Sequence, residues 1–195
     1  MMELVSRIKK ILITPKTEWT VIEKENTPHV KIFILYVLPL AVIPAVAAFV
    51  GYGLIGYPVM GYHIHSINWG IRQAISLFIL STGGLYIASF VINLLSGCFG
   101  ARKDFNKAFS LVAFAYTPIF IGSVFYMFYM FSWLTILAGL YTLYLLYSGL
   151  QPLMKPSKDK AITFFIVSLL SIIVVWLVLR FVLTIILGLG TAMLM

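Results

Sequence analysis

Between Lys107 and Lys155 the chain carries no charged residue, and the 43 residues from Ala108 to Leu150 form the body of that gap. A bilayer core about 30 Å thick needs about 20 apolar residues per helix. The gap therefore holds two crossings joined by a tight turn. Only 10% of the 195 residues are charged and 62% are hydrophobic, against roughly 25% charged in a soluble domain. A soluble fold of that composition could not cover its own surface, so the excess apolar side chains must face lipid. The sequence predicts an all-α polytopic membrane bundle with five spans, roughly at 32–52, 73–97, 108–131, 133–150 and 161–180. A short amphipathic cytoplasmic tail, residues 1–31, precedes the membrane domain of residues 32–195.

The formal net charge is +8, and its distribution sets the topology. Lysines and arginines cluster in the tail, in the segment Arg102, Lys103 and Lys107, and in the segment Lys155, Lys158 and Lys160. With five spans these three segments share one side, and only Arg72 and Arg180 fall at the other. Such an excess marks the cytoplasmic side, which puts the N-terminus inside and the C-terminus outside. Arg7, Lys9, Lys10, Arg102, Lys103 and Lys107 form the candidate basic cytoplasmic face. Anionic headgroups are its expected partners, with a protein partner or a second copy of the chain as further candidates. No nucleic acid is needed to account for the charge. The first long apolar run starts at Ile32 behind a charged tail, so no cleavable signal peptide is expected.

In the tail, Leu4, Val5, Ile8, Ile11 and Leu12 recur at helical spacing, with Arg7 and Lys9 flanking the stripe. Such a helix lies in the membrane surface or packs on the cytoplasmic ends of the spans. Thr14-Pro15 reads as an N-cap and first helical residue; Asn26-Thr27-Pro28 repeats the device before span one. Trp19 reads as an interface anchor. Cys98 reads as a small buried hydrophobe, with juxtamembrane acylation as the alternative.

Pro39 and Pro44 bend span one. The outer loop that follows carries His63 and His65, which in extended chain point the same way, but no Cys, Asp or Glu nearby completes a metal site. In span two, Gly84-x-x-x-Ala88 permits a close helix approach, and Asn93 is a candidate interior polar residue. Asp104 can cap span three. Pro118, about 15 Å into that span, leaves the carbonyl of Phe114 without its usual donor. Tyr116 and Thr117 stand beside the break. Such a break is either a substrate site or a kink whose hydroxyls repair the backbone. Tyr116, Thr117, Pro118, Asn93 and Tyr144 are the candidate ligand or interior polar residues. Phe125, Tyr126, Phe128, Tyr129, Phe131 and Trp133 form an aromatic belt. Tyr141, Tyr144 and Tyr147 offer interhelical hydrogen bonds, and Arg180 snorkels to the outer interface.

All six acidic residues, Glu3, Glu18, Glu23, Glu25, Asp104 and Asp159, fall outside the spans. Ion-coupled pumps use intramembrane carboxylates, so pumping is disfavoured. No His-Glu-x-x-His or Gly-x-Ser-x-Gly motif is present. No catalytic residue, cofactor or metal is assigned, and the chain reads as non-enzymatic. A small transporter or channel at the span-three break is the first alternative, and a lipid-modifying membrane enzyme the second.

Five spans, a basic tail with Pro15-x-x-x-Trp19, and Phe105-x-Lys-Ala-Phe-Ser-Leu-Val-Ala-Phe-Ala-Tyr-Thr-Pro118 together resemble the prokaryotic branch of the Yip domain family, the Ypt-interacting proteins. The resemblance implies a non-enzymatic protein that organises membrane or binds lipid or protein partners. Eukaryotic relatives bind prenylated Rab GTPases and act in vesicle traffic through longer tails carrying Asp-Leu-Tyr-Gly-Pro. This chain lacks that motif. Its short form resembles bacterial or archaeal members, which implies the prokaryotic cytoplasmic (cell inner) membrane.

Overall fold

The computed structural model describes residues 4–59 and 62–189. It is an all-α membrane bundle of two tail helices and five long apolar helices. The tail forms α1 (Leu4–Ile13) and α2 (Pro15–Glu25). The helices long and apolar enough to cross a membrane are α3 (His29–Ile55), α4 (Ile67–Phe99), α5 (Phe105–Met127), α6 (Leu134–Met154) and α7 (Lys158–Ile186). Each predicted span lies within or largely overlaps one of them. A short antiparallel ribbon, β1 (Tyr57–Val59) with β2 (Tyr62–Ile64), pairs Pro58 with His63 in the loop after α3. The His63 side chain lies outside the described residues, as does the path of residues 190–195.

The prolines of span one bend it without ending it. Wider π-helical turns over Phe33–Val37 and Phe49–Ile55 flank the α-helical segment Leu38–Ala48 that holds Pro39 and Pro44. Such turns absorb the register change that a proline ring forces on the ladder. A third π turn covers Leu80–Gly84, where Thr82 Oγ1 donates to the Phe78 carbonyl at 2.8 Å. Asp104 caps α5 as its position predicts, accepting from the backbone N–H of Asn106 at 3.0 Å and of Lys107 at 3.3 Å. Thr14 and Asn26 behave otherwise. Thr14 Oγ1 donates back to the Lys10 carbonyl at 3.2 Å instead of capping α2. Asn26 adopts a left-handed φ of 44° that ends α2 before Pro28.

The central helix is α5, buried along Lys107–Ala115. Its Ala108, Ser110, Ala113 and Ala115 are small, so α3, α4, α6 and the tail approach it closely. In contrast α7 buries one stripe, Ala161, Phe164, Ser168 and Ile172, then Leu183. Its remaining aliphatic surface faces lipid. Two close approaches lock the far end of the bundle. A Cβ on Gly70 would stand 2.6 Å from the Gly53 Cα, and one on Gly122 2.6 Å from the Ala138 Cβ. Gly84 and Ala88 pack α4 toward α7.

Candidate functional site at the tail end of the bundle

The two tail helices are part of the core. Ile11, Trp19 and Ile22 are buried in the same cluster as Tyr36, Phe109 and Phe114. Trp19 is therefore not an interface anchor: its ring is fully buried, and its Nε1 donates to Ser148 Oγ at 3.0 Å. Gly149 makes the space, since a Cβ there would lie 2.6 Å from Trp19 Cε2 and 2.8 Å from Leu111 Cδ1. Tyr141 Oη donates to the Leu12 carbonyl at 2.6 Å and so ties α6 to the end of α1.

Charge completes the docking. Glu18, Ile22 and Glu25 stand on one face of α2 at i, i+4 and i+7. Arg7 crosses that face from α1, donating from Nη1 to Glu18 and from Nη2 to both oxygens of Glu25 at 2.6 and 2.7 Å. Its guanidinium carbon also lies 5.8 Å from the Phe114 ring centroid. Burial pulls the Arg7 pKa down, but the hydrogen bonds and charges of Glu25 and Glu18 outweigh it and raise it on balance. Arg7 and Glu18 are 8% and 4% exposed. Arg7 thus leaves the predicted basic face for an internal ion pair. Glu18 lies outside the five spans, as predicted, but inside the protein core.

Glu23 joins the tail to the loops between spans. Its carboxylate accepts from Lys155 Nζ at 2.9 Å and lies 3.9 Å from Arg102 Nη1, while Lys107 Nζ donates to its backbone carbonyl. Lys107 is buried and so also leaves the predicted basic face. The Lys155 hydrogen bond and charge hold the Glu23 carboxyl below its ordinary value. A carboxylate favoured by folding stabilises above its unfolded pKa, and the contribution disappears as pH falls through the lowered folded value. Trp19 fluorescence followed from about pH 5 to pH 3 should report a loosening of the tail. In Glu23→Gln the part of that transition due to this group should be absent.

The Pro118 break is closed by side chains. The helical segment Phe105–Ala115 ends at Tyr116 and resumes at Thr117. Thr117 Oγ1 donates to the orphaned Phe114 carbonyl at 2.7 Å, and Tyr36 Oη donates to Thr117 Oγ1, also at 2.7 Å. Thr117 is fully buried, so the break repairs its backbone internally. Thr117→Val keeps the shape but strands both partners, and should cost about 1–3 kcal/mol. Thermal unfolding in detergent should show the loss, with Thr117→Ser restoring most of it.

Tyr116 instead borders a cleft of about 390 Å³ between α5, α6 and α7. Ile119, Leu140, Leu146, Ile172 and Ile173 line it, with Thr142, whose buried hydroxyl has no partner among the described residues. Between Tyr116 and Gly84 and Ala88 of α4 the space is only about 10 Å³, room for about one water. Asn93 has a buried Oδ1 without a partner among the described residues, but it borders neither space. Tyr144 is exposed and stacks on Tyr141 at 5.6 Å. Cys98 is exposed on the turn that ends α4, not buried. His29 is tied to α5, its backbone N–H and its Nδ1 both meeting Asn106 Oδ1, at 2.9 and 2.8 Å.

Lys9, Lys10, Lys16, Lys24, Arg102, Lys103, Lys155, Lys158 and Lys160 remain exposed. The two loops that carry the last five are joined. The Arg102 N–H donates to the Met154 carbonyl at 2.6 Å, and Ser157 Oγ to the Phe99 carbonyl at 3.3 Å. The two loops are thus held side by side, with the Glu23 carboxylate against Arg102 of one and Lys155 of the other. Gly149, Ser148 and Arg7 carry the tail docking, and periodicity alone does not reveal them. The usable signal is the glycine in a lipid-crossing helix opposite a tail tryptophan.

Among the described residues no group of three His, Cys, Asp or Glu side chains is placed to hold a metal ion. The sequence profile of the Yip1 domain matches residues 9–179, which includes most of the tail and all but the end of α7. No curated protein and no solved structure matches the chain. The match runs from the second turn of α1 through the Arg180-proximal end of α7, and on that extent the chain belongs to the Yip1 domain family of membrane proteins.

Proposed function

We propose that the protein is a non-enzymatic organiser of its membrane, binding anionic headgroups or an acidic protein partner through its tail-end surface. The observation that carries this reading is the joined pair of loops. Arg102, Lys103, Lys155, Lys158 and Lys160 are exposed on these two joined loops, with Glu23, Asp104 and Asp159 as the acids beside them. A patch with this excess of cations attracts phosphate headgroups over about a Debye length. The tail end faces the cytoplasm on the positive-inside argument, and a prokaryotic cytoplasmic membrane is the proposed location.

Lys103, Lys158 and Lys160 make no ion pair among the described residues and are the residues to change. Replacing all three by Glu should remove anionic lipid co-purifying with the protein and the partners captured by mild crosslinking. Retention of the same lipids and partners by the triple variant would contradict the proposal. The transporter reading has less support. The Pro118 break is filled by Thr117 and Tyr36, and the adjoining cleft is lined almost wholly by apolar side chains.

A further inference from the structure

The end of the bundle opposite the tail holds Arg72 and Arg180, and both lie along the seam between α4 and α7. Arg180 does not snorkel away from the bundle. It turns onto α4, donating from Nη1 to Ser76 Oγ at 2.9 Å and from Nη2 to Gln73 Oε1 at 3.0 Å. Arg72, on α4, donates from Nη1 to the Leu187 carbonyl at 3.1 Å, just past the end of α7. Gln73, which Arg180 reaches, is next to Arg72 in α4, so the two cations share one stretch of the seam, with Arg72 nearer the rim. Ser76 and Gln73 are buried, Arg180 is half-buried and Arg72 is exposed.

Every protein acceptor these guanidinia meet among the described residues is neutral. The described acids, Glu18, Glu23, Glu25, Asp104 and Asp159, all belong to the tail end. Each guanidinium carries five N–H donors, and the bonds above use a minority of them. A cation inside a membrane protein without a counter-charge is costly. Neutral acceptors orient the Arg180 fork but leave its charge unbalanced. A planar guanidinium with free donors is suited to phosphate oxygens. α4 and α7 meet only lightly here, and both arginines keep exposed surface at the seam. Ile75, Phe181 and Ile185 are exposed on these helices and offer apolar surface for acyl chains.

We propose that Arg180, held by Gln73 and Ser76, and Arg72 at the rim bind a phosphate oxyanion in the α4–α7 seam. The phosphate could come from a phospholipid headgroup in the leaflet at that end or from free inorganic phosphate. Purified protein in neutral detergent can be titrated with phosphatidylglycerol, with diacylglycerol of the same chains, and with sodium phosphate against sodium chloride at matched ionic strength. Native mass spectrometry reads lipid retention, and the thermal midpoint reads the salts. Phosphatidylglycerol should be retained over diacylglycerol, and Arg180→Gln and Arg72→Gln should each weaken it by about tenfold. A midpoint raised by sodium phosphate in the wild type, and not in the variants, would identify a free oxyanion as a ligand and equally uphold the site. The tail-end cations are common to wild type and variants and drop out of the comparison. Arg72→Gln leaves the Arg180 bonds intact, so it carries the test should Arg180→Gln fail to fold. Equal phosphatidylglycerol retention by the wild type and the folded variants, with no phosphate-specific shift, would overturn the proposal.

Discussion

Arg7→Met should release the tail from the bundle. Removing one partner of a buried ion pair leaves the other as an uncompensated charge, at a cost of about 3–5 kcal/mol. Here the stranded group is Glu18, while Glu25, more exposed, regains water. The loss falls on the docking of α1 and α2 rather than on the five spans. The measurement is therefore local: trypsin should cut at Lys16 and Lys24 about a hundredfold faster or more, in proportion to the open population. The double variant Arg7→Met/Glu18→Leu removes both charges and should recover most of the protection, since apolar replacement of a buried pair is often neutral. Equal cleavage of the single variant and the wild type would show that the pair does not hold the tail.

Trp19→Ala should have an effect of similar size by a different route. Removing a fully buried tryptophan costs about 3–5 kcal/mol through lost burial and the cavity left behind. Ser148 then also loses its donor. The converse change, Gly149→Ala, puts a methyl where the indole sits and should cost about 1–3 kcal/mol by overpacking. Both variants should expose the tail to trypsin, and their combination should be less damaging than the sum, because each relieves the space the other disturbs. Strictly additive losses would place Trp19 away from Gly149.

Much of the fold was readable from charge spacing alone. Five apolar stretches with charged punctuation predict five helices, because lipid admits only internally bonded segments. The Asp104 cap and the Pro118 repair were legible too. Each follows from a local backbone group that needs a partner, and the partner lies within three residues. What the sequence concealed is which apolar surface faces protein. The stripe Leu4, Ile8, Ile11 and Leu12 suits a bilayer surface as well as a groove, and periodicity does not separate the two. Likewise Arg7 and Lys107 count toward a basic face until the structure brings Glu18, Glu25 and the Glu23 carbonyl against them. Arg180 follows the same rule, its guanidinium donating to Ser76 and Gln73 of α4. Snorkelling assumes water is the nearest source of acceptors, whereas Gln73 and Ser76 are nearer.

The tail is an integral layer of the bundle, with Trp19 at its centre. Trp19 can report this directly once Trp69, Trp133 and Trp176 are replaced by Phe. In bilayers, the remaining fluorescence should be quenched weakly by aqueous acrylamide and weakly by brominated lipids, because α2, α5 and α6 enclose the ring. Strong quenching by brominated lipids would place α2 on the membrane surface, strong quenching by acrylamide would place it in water, and either result would contradict a tail docked between α5 and α6.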